Sequence, residues 1–271
     1  MKPEHSAEFR FYGELNDFLP PAQRNRTIPY RFSGHPGIKD PIEVLRIPHT
    51  EVDLIIVNGR SVSFDYQLQA GARVAVYPVF ENPDIGPLTR LRDKPLPNPR
   101  FILDANLGKL VKRMRLLGFD SLYRNDYQDA EVVNIALSEQ RIILTRDRRL
   151  LYAKKISHGY WVRAVEVKIQ LDEILRRFDL YGSIHPFTRC LVCNGVLASV
   201  AKADIVEQLE AKTRLYYEVF KQCGDCRRIY WEGSHLDNMR RLIADSSTLR
   251  NVSGVLDRTR NDITCNGSFQ L

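Results

Sequence analysis

Four cysteines in two pairs set the tightest constraint on this chain. Cys190-Leu-Val-Cys193 and Cys223-Gly-Asp-Cys226 are C-x-x-C knuckles with 29 residues between them. Each knuckle turns two sulfurs toward one point, so a fold that joins the pairs surrounds one Zn²⁺ tetrahedrally and leaves no coordination position open. A small structural zinc ribbon over residues 186–243 follows from this, with redox disulfides as the alternative. Arg227, Arg228, Tyr230 and Trp231 come directly after the second knuckle. Basic and aromatic side chains there suit nucleic acid, and core packing is the other fate of Trp231. Cys265 is left over in the polar stretch 244–271, expected to be a mobile tail.

The stretch before the ribbon alternates short apolar runs with amphipathic ones. "FILDAN" leads into "LGKLVKRMRLLG", where Leu107, Leu110, Val111, Met114 and Leu117 recur at helical spacing and Gly118 closes the end. "DSLYR", "RIILTRD" and "YWVRAV" read as strands, and "DAEVVNIALSEQ", "RRLLYAKKI" and "VKIQLDEILRRFDL" read as helices. This order predicts a parallel-sheet α/β/α core over residues 101–185.

Residues 1–80 read as a separate unit. "EHSAEFRFYGELNDFL" has a helix-like pattern, broken by Pro20-Pro21. "TIPYRFSG" alternates as a strand, and "IKDPIEVLRI" is a short helix with Pro41 in its first turn. "VDLIIVNG", "SVSFD" and "ARVAVYPVF" are strands separated by turn signals at Asn58-Gly59 and Ala70-Gly71, which gives a β-grasp pattern. "IIVNGRSVSFDYQLQAGARVAVYPVF" resembles the ThiS and MoaD sulfur carriers of ubiquitin-like fold. Those carriers act through a free Gly-Gly terminus, whereas this chain runs on through "ENPDIGPLTRLRDKPLPNPR", which speaks against a carrier role. Docking a protein partner, presenting RNA, or a purely structural role is left for this module. Five of the fourteen prolines fall in residues 81–100, as in a semi-rigid linker.

The formal charge of +7 favours a polyanionic partner, and four zinc-bound thiolates would reduce it to about +5. Residues 101–185 carry 15 basic and 11 acidic side chains, more than half of the surplus. No apolar run is long enough to span a membrane, and "MKPEHSAEFR" lacks the apolar core of a signal peptide, so the cytoplasm is the expected location. Neither a P-loop nor a G-x-G-x-x-G motif occurs, and no histidine stands in a recognisable catalytic frame.

Two of the expected parallel strands end in an aspartate, Asp104 after "FIL" and Asp147 after "IILTR". In such sheets functional groups gather beyond the carboxyl ends of the strands. Asp129 opens the next helix and shares a face with Val132, Val133 and Ala136, so it is expected to point inward and also to cap that helix; capping "RRLLYAKK" is likewise the structural reading of Asp147. Three carboxylates brought together repel one another unless a divalent cation with a preference for oxygen offsets the charge. Mg²⁺ or Mn²⁺ fits, and such ions promote phosphodiester hydrolysis. Lys109, Lys112 and Arg113 fall on one helical stripe, and Arg146, Arg148 and Arg149 flank Asp147, as candidate phosphate contacts. Asn106 and Thr145 are polar neighbours suited to positioning water or phosphate, or to turn bonding.

"FILDANLGKLVKRMRLLGFD", "NDYQDAEVVNIA" and "RIILTRDRRLL", followed by "QLDEILRRFDL" and the cysteine knuckles, resemble the PIN-like RNase domain named for the mutator-seven exonuclease C-terminal region. The resemblance implies an acidic site at Asp104, Asp129 and Asp147 and an N-terminal ubiquitin-like module. Asp172 and Glu173 are acidic, but the motif does not place them in the site. The expected activity is metal-dependent cleavage of RNA with water as nucleophile. The rivals are a catalytically silent RNA- or ribosome-binding adaptor and a protein-interaction scaffold built on the ubiquitin-like module.

Overall fold

The computed structural model describes residues 4–78 and 99–231, so the expected linker lies almost wholly, and the expected tail wholly, outside the described residues. In chain order the regular elements begin with β1 (Glu4–Phe11), β2 (Ile28–Ser33), α1 (Lys39–Val44), β3 (Leu54–Val57), β4 (Arg60–Val62) and β5 (Arg73–Tyr77). The middle of the chain supplies β6 (Phe101–Leu103), α2 (Gly108–Leu116), β7 (Ser121–Leu122), α3 (Asp129–Glu139), β8 (Ile142–Thr145), β9 (Gly159–Trp161) and α4 (Val167–Arg177). The last part forms β10 (Leu197–Val200), α5 (Lys202–Ile205), α6 (Ala211–Tyr216), β11 (Phe220–Cys223) and β12 (Ile229–Trp231). Among the described residues no helix is long and apolar enough to cross a membrane. Contacts divide the chain into two units, one of residues 1–106 with 125–162, the other of 107–124 with 163–271.

The first unit opens with a five-stranded sheet in the order β2-β1-β5-β3-β4. Its central pair, β1 and β5, is parallel, and the flanking pairs are antiparallel, which is the β-grasp arrangement. The helix expected at the N-terminus is therefore corrected to a strand followed by a 3-10 turn over Gly13–Phe18. Ala7, Phe9 and Phe11 are buried two residues apart, and that period of two governs the stretch. The helical look came from Leu15, Phe18 and Leu19, which the 3-10 turn buries. Asn58 and Gly59, with φ of 47° and 81°, make the tight left-handed turn that joins β3 to β4.

The same unit contains the parallel ladder β6-β8-β9, with Leu103 level with Leu144 and Leu144 level with Tyr160. All residues of β6 and β8 are buried, as their unbroken apolar runs require. α3 packs on β6 and β8 through Val132 and Ala136. The expected helix "RRLLYAKKI" is a 3-10 turn, Arg148–Tyr152, cut short at Ala153.

Buried polar groups stitch the β-grasp sheet to this ladder. Glu51, fully buried, accepts a hydrogen bond from the Trp161 N–H at 2.6 Å. His49 Nε2 donates to the Ile156 carbonyl at 2.6 Å, while its Nδ1 meets Glu43 at 2.6 Å. Arg148 lies over the Trp161 ring, 3.7 Å from its centroid, and also over Phe18 at 5.3 Å. The β-grasp module is thus packed into its unit and is not a loosely attached appendage.

The second unit holds α2, β7, α4 and the ribbon. α2 packs on α4, and Gly118 ends α2 at φ +93°, where a side chain would strike the His185 carbonyl. The ribbon is an antiparallel sheet in the order β10-β11-β12. Trp231 is half-buried and packs with Tyr217 beside Ile205, Leu209 and Phe220.

Candidate active site and metal centre

Asp104 follows β6 directly, and its N–H continues the ladder to the Leu144 carbonyl at 3.0 Å. One strand over, Thr145 ends β8 and is fully buried. Its hydroxyl donates to Asp104 Oδ2 at 2.8 Å and accepts from the Asp147 N–H at 2.8 Å. A hydroxyl has one proton to give, so Thr145 fixes the Asp104 carboxylate as acceptor and the Asp147 backbone as donor. Asn106 adds a longer contact to the same Asp104 oxygen, 3.4 Å.

Asp147 caps the 3-10 turn that follows, accepting from the Arg149 N–H at 2.9 Å. The Arg149 side chain folds back onto the same carboxylate, with Nη2 to Oδ2 at 2.7 Å and Nε to Oδ2 at 3.1 Å. Hydrogen bonds from the Arg149 side chain, opposed by partial burial, hold the Asp147 carboxyl below the usual carboxylate range.

Asp129 is the first residue of α3, and the expectation that it caps the helix is corrected. Gln128 is the N-cap and forms a capping box with Glu131, whose carboxylate accepts from the Gln128 N–H at 2.9 Å. The inward orientation is corrected as well, because Asp129 is exposed. Its negative charge still reaches Arg149 and favours that guanidinium's charged form. In the second unit Glu173 is occupied by the N–H groups of Arg163 and Ala164, at 2.9 and 3.1 Å, and Asp172 pairs with Arg176 at 2.6 Å.

Among the described residues, the only group of three or more Cys, His, Asp or Glu side chains close enough to share an ion is Cys190, Cys193, Cys223 and Cys226. Their sulfurs all lie within 4.8 Å of one another, and the cross-knuckle pairs Cys190–Cys226 and Cys193–Cys223 are 3.5 and 3.4 Å apart. Tetrahedral thiolate coordination of zinc suits this set. Burial raises the Cys190 thiol, but the N–H of Cys193, the Tyr230 hydroxyl and the N–H of Val192 draw it down to about 6, toward the thiolate that a metal needs. A Cβ on Gly195 would sit 2.7 Å from Cys223 Sγ, so the close approach of the two knuckles requires glycine there.

Arg115 was not legible as a site residue. It is buried on α2, and its guanidinium donates to the carbonyls of Ser121, Leu191 and Val192 at 2.9, 3.2 and 2.8 Å. The first knuckle is thereby tied to α2, with a cation beside thiolates. Asn194 reinforces the tie, accepting from the Ser121 N–H and donating to Asp120. The one sequence signal is a charge four residues after Val111, on the apolar side of the helix.

Of the remaining basic residues, Lys109, Lys112, Arg146, Arg149, Arg227 and Arg228 are exposed and Arg113 is half-buried. Arg148 is the exception, since its guanidinium plane is taken up by Trp161 and Phe18.

A β-grasp module, a parallel α/β ladder with Asp104 and Asp147 just beyond adjacent strand ends, and a four-cysteine ribbon together define a mixed α/β protein with a cysteine metal site of zinc-ribbon type. Residues 99–243 match the family described as the Mut7-C RNAse domain, and residues 4–84 match the Mut7-C ubiquitin family. With more than half of its length so matched, the chain belongs to the Mut7-C RNAse domain family. No curated protein and no solved structure was found to match it.

Proposed function

We propose that this chain is a divalent-metal-dependent ribonuclease, with Asp104, Asp129 and Asp147 as its acidic site and the four cysteines holding a structural zinc. The observation that carries the reading is the Thr145 hydroxyl between Asp104 and Asp147 at the ends of neighbouring parallel strands. That is where such sheets place chemistry, and the family is one of RNases. Asp104, Asp129 and Asp147 are not close enough together in this structure to share one ion, but all three offer the hard oxygen that Mg²⁺ or Mn²⁺ takes. Such an ion, when bound, would supply Lewis acidity toward phosphoryl oxygens and acidify water. The residues of the chain do the rest. Thr145 keeps Asp104 turned toward the strand ends, and Arg149 holds Asp147 until an ion and a phosphate take the two charges apart.

Lys109, Lys112, Arg113, Arg146, Arg227 and Arg228 are assigned to RNA phosphates, and Arg148 mainly to packing. We assign residues 1–80, 101–185 and 186–243 as the three domains, and the cytoplasm as the location. A silent adaptor is the second reading, favoured by the Arg149 side chain that occupies the Asp147 carboxylate. Incubation of the full chain with labelled RNA and single-stranded DNA, with Mn²⁺ or with EDTA, separates the two. Metal-dependent scission of RNA supports the enzyme, and binding without scission under every condition supports the adaptor.

A further inference from the structure

The ribbon has a cavity of about 220 Å³ within the second unit, lined by Phe187, Arg189, Leu197, Arg228, Tyr230 and Trp231 among others. Three aromatic residues and two arginines line it, and among the described residues no acidic side chain does. We infer that this cavity takes one unstacked nucleobase of single-stranded RNA, with Arg189 and Arg228 on the adjoining phosphates. The inference rests on the reading of the chain as an RNA-cleaving enzyme and adds the place where the strand is gripped.

The walls are prepared before any ligand arrives. The Tyr230 hydroxyl meets Cys190 Sγ at 3.0 Å and accepts from the Leu191 N–H at 3.1 Å, so the zinc knuckle itself fixes the ring. Arg189 is oriented by the Asn194 carbonyl at 3.3 Å and by Asp120 at 3.4 Å. Arg228 is exposed beside them. Trp231 is half-buried, packs against the ribbon core and also lines the cavity. An apolar slot with fixed rings accepts the π-face of any base, and cations at its mouth match the charge that follows each base in a nucleic acid. An acidic peptide would use the arginines but leave the three rings without a stacking partner. The slot presents few polar groups to a base edge, so recognition should tolerate sequence.

The chain has two tryptophans, Trp161 and Trp231. Trp161→Phe in an Asp147→Asn background leaves Trp231 as the sole indole emitter and removes cleavage on the proposed mechanism. Titration with a short oligouridylate should quench Trp231 saturably, with the midpoint found by fluorescence anisotropy of the labelled oligonucleotide. Trp231→Ala and Arg228→Ala should each weaken that binding by roughly tenfold, the scale of one lost base stack or phosphate contact, with zinc content unchanged. Should either variant fold poorly, ¹⁹F NMR of fluorotryptophan-labelled wild-type protein reads Trp231 without substitution. Saturable RNA binding with unaltered Trp231 and undiminished affinity in both variants would overturn the pocket and leave the ribonuclease reading intact. Absence of RNA binding altogether would overturn both. Quenching by polyglutamate as strong as by RNA would overturn the nucleobase assignment.

Discussion

Arg149 closes on Asp147 through both its backbone and its side chain, placing a guanidinium where a cation would otherwise meet the carboxylate. Arg149→Ala is therefore expected to tighten Mn²⁺ binding modestly, because an exposed pair competes only weakly with the ion, as measured by isothermal titration.

The same pair has a pH signature. Its lowered carboxyl pKa means that the stabilisation is present above the unfolded value, about 3.9, and lost as pH falls through the lower folded value. Arg149 is 88% exposed, so the effect is small. The melting temperatures of wild type and Arg149→Ala should differ by at most a few degrees at pH 7 and converge once the pH has fallen below the lowered folded value. A difference that grows on acidification would assign the pair the wrong sign.

Arg115 links the first cysteine knuckle to α2. One zinc per chain is expected by metal analysis, and Cys223→Ser should lower stability far more than it changes the chemistry per folded molecule. Arg115→Met keeps length but leaves three knuckle and loop carbonyls without their donor, which should cost about 3 kcal/mol or more and accelerate zinc release to a chelator. Unchanged zinc release in that variant would reduce Arg115 to a packing residue.

Lys112 and Arg113 lie on one stripe of α2 with Lys109. Reversing both to Glu should weaken RNA binding and flatten its dependence on salt, because fewer counterions are released. Equal affinity at all salt concentrations would make the stripe an ordinary solvated helix face.

The parts of this protein that were legible in the sequence are those where one period or spacing dominates. The runs "FIL" and "IILT" became the buried strands β6 and β8, and the knuckles brought their four sulfurs together. The N-terminal strand was missed because Leu15, Phe18 and Leu19 extend its apolar set with a helix-like interval, and only pairing with β2 and β5 decides between the two. Asp129 was misread by one position, since Gln128 with Glu131 forms an equally good capping box. His49, Glu51 and Arg148 gave no signal because their partners lie far along the chain, in the segment Ile156–Trp161 for the first two and at Phe18 and Trp161 for the third. Arg115 likewise reaches carbonyls 76 and 77 residues away.

The central claim is that Asp147, placed two residues beyond the end of β8, binds a divalent cation beside Asp104. Asp147→Asn tests it most directly, because the amide retains volume and most of the capping while losing the charge. The variant should keep its zinc and its melting temperature in EDTA to within a few degrees, while Mn²⁺-dependent cleavage of labelled RNA falls by about 100-fold or more, the scale of several kcal/mol of lost transition-state stabilisation. A destabilised variant whose folded fraction cleaves RNA at the wild-type rate would contradict the account and leave Asp147 a structural cap.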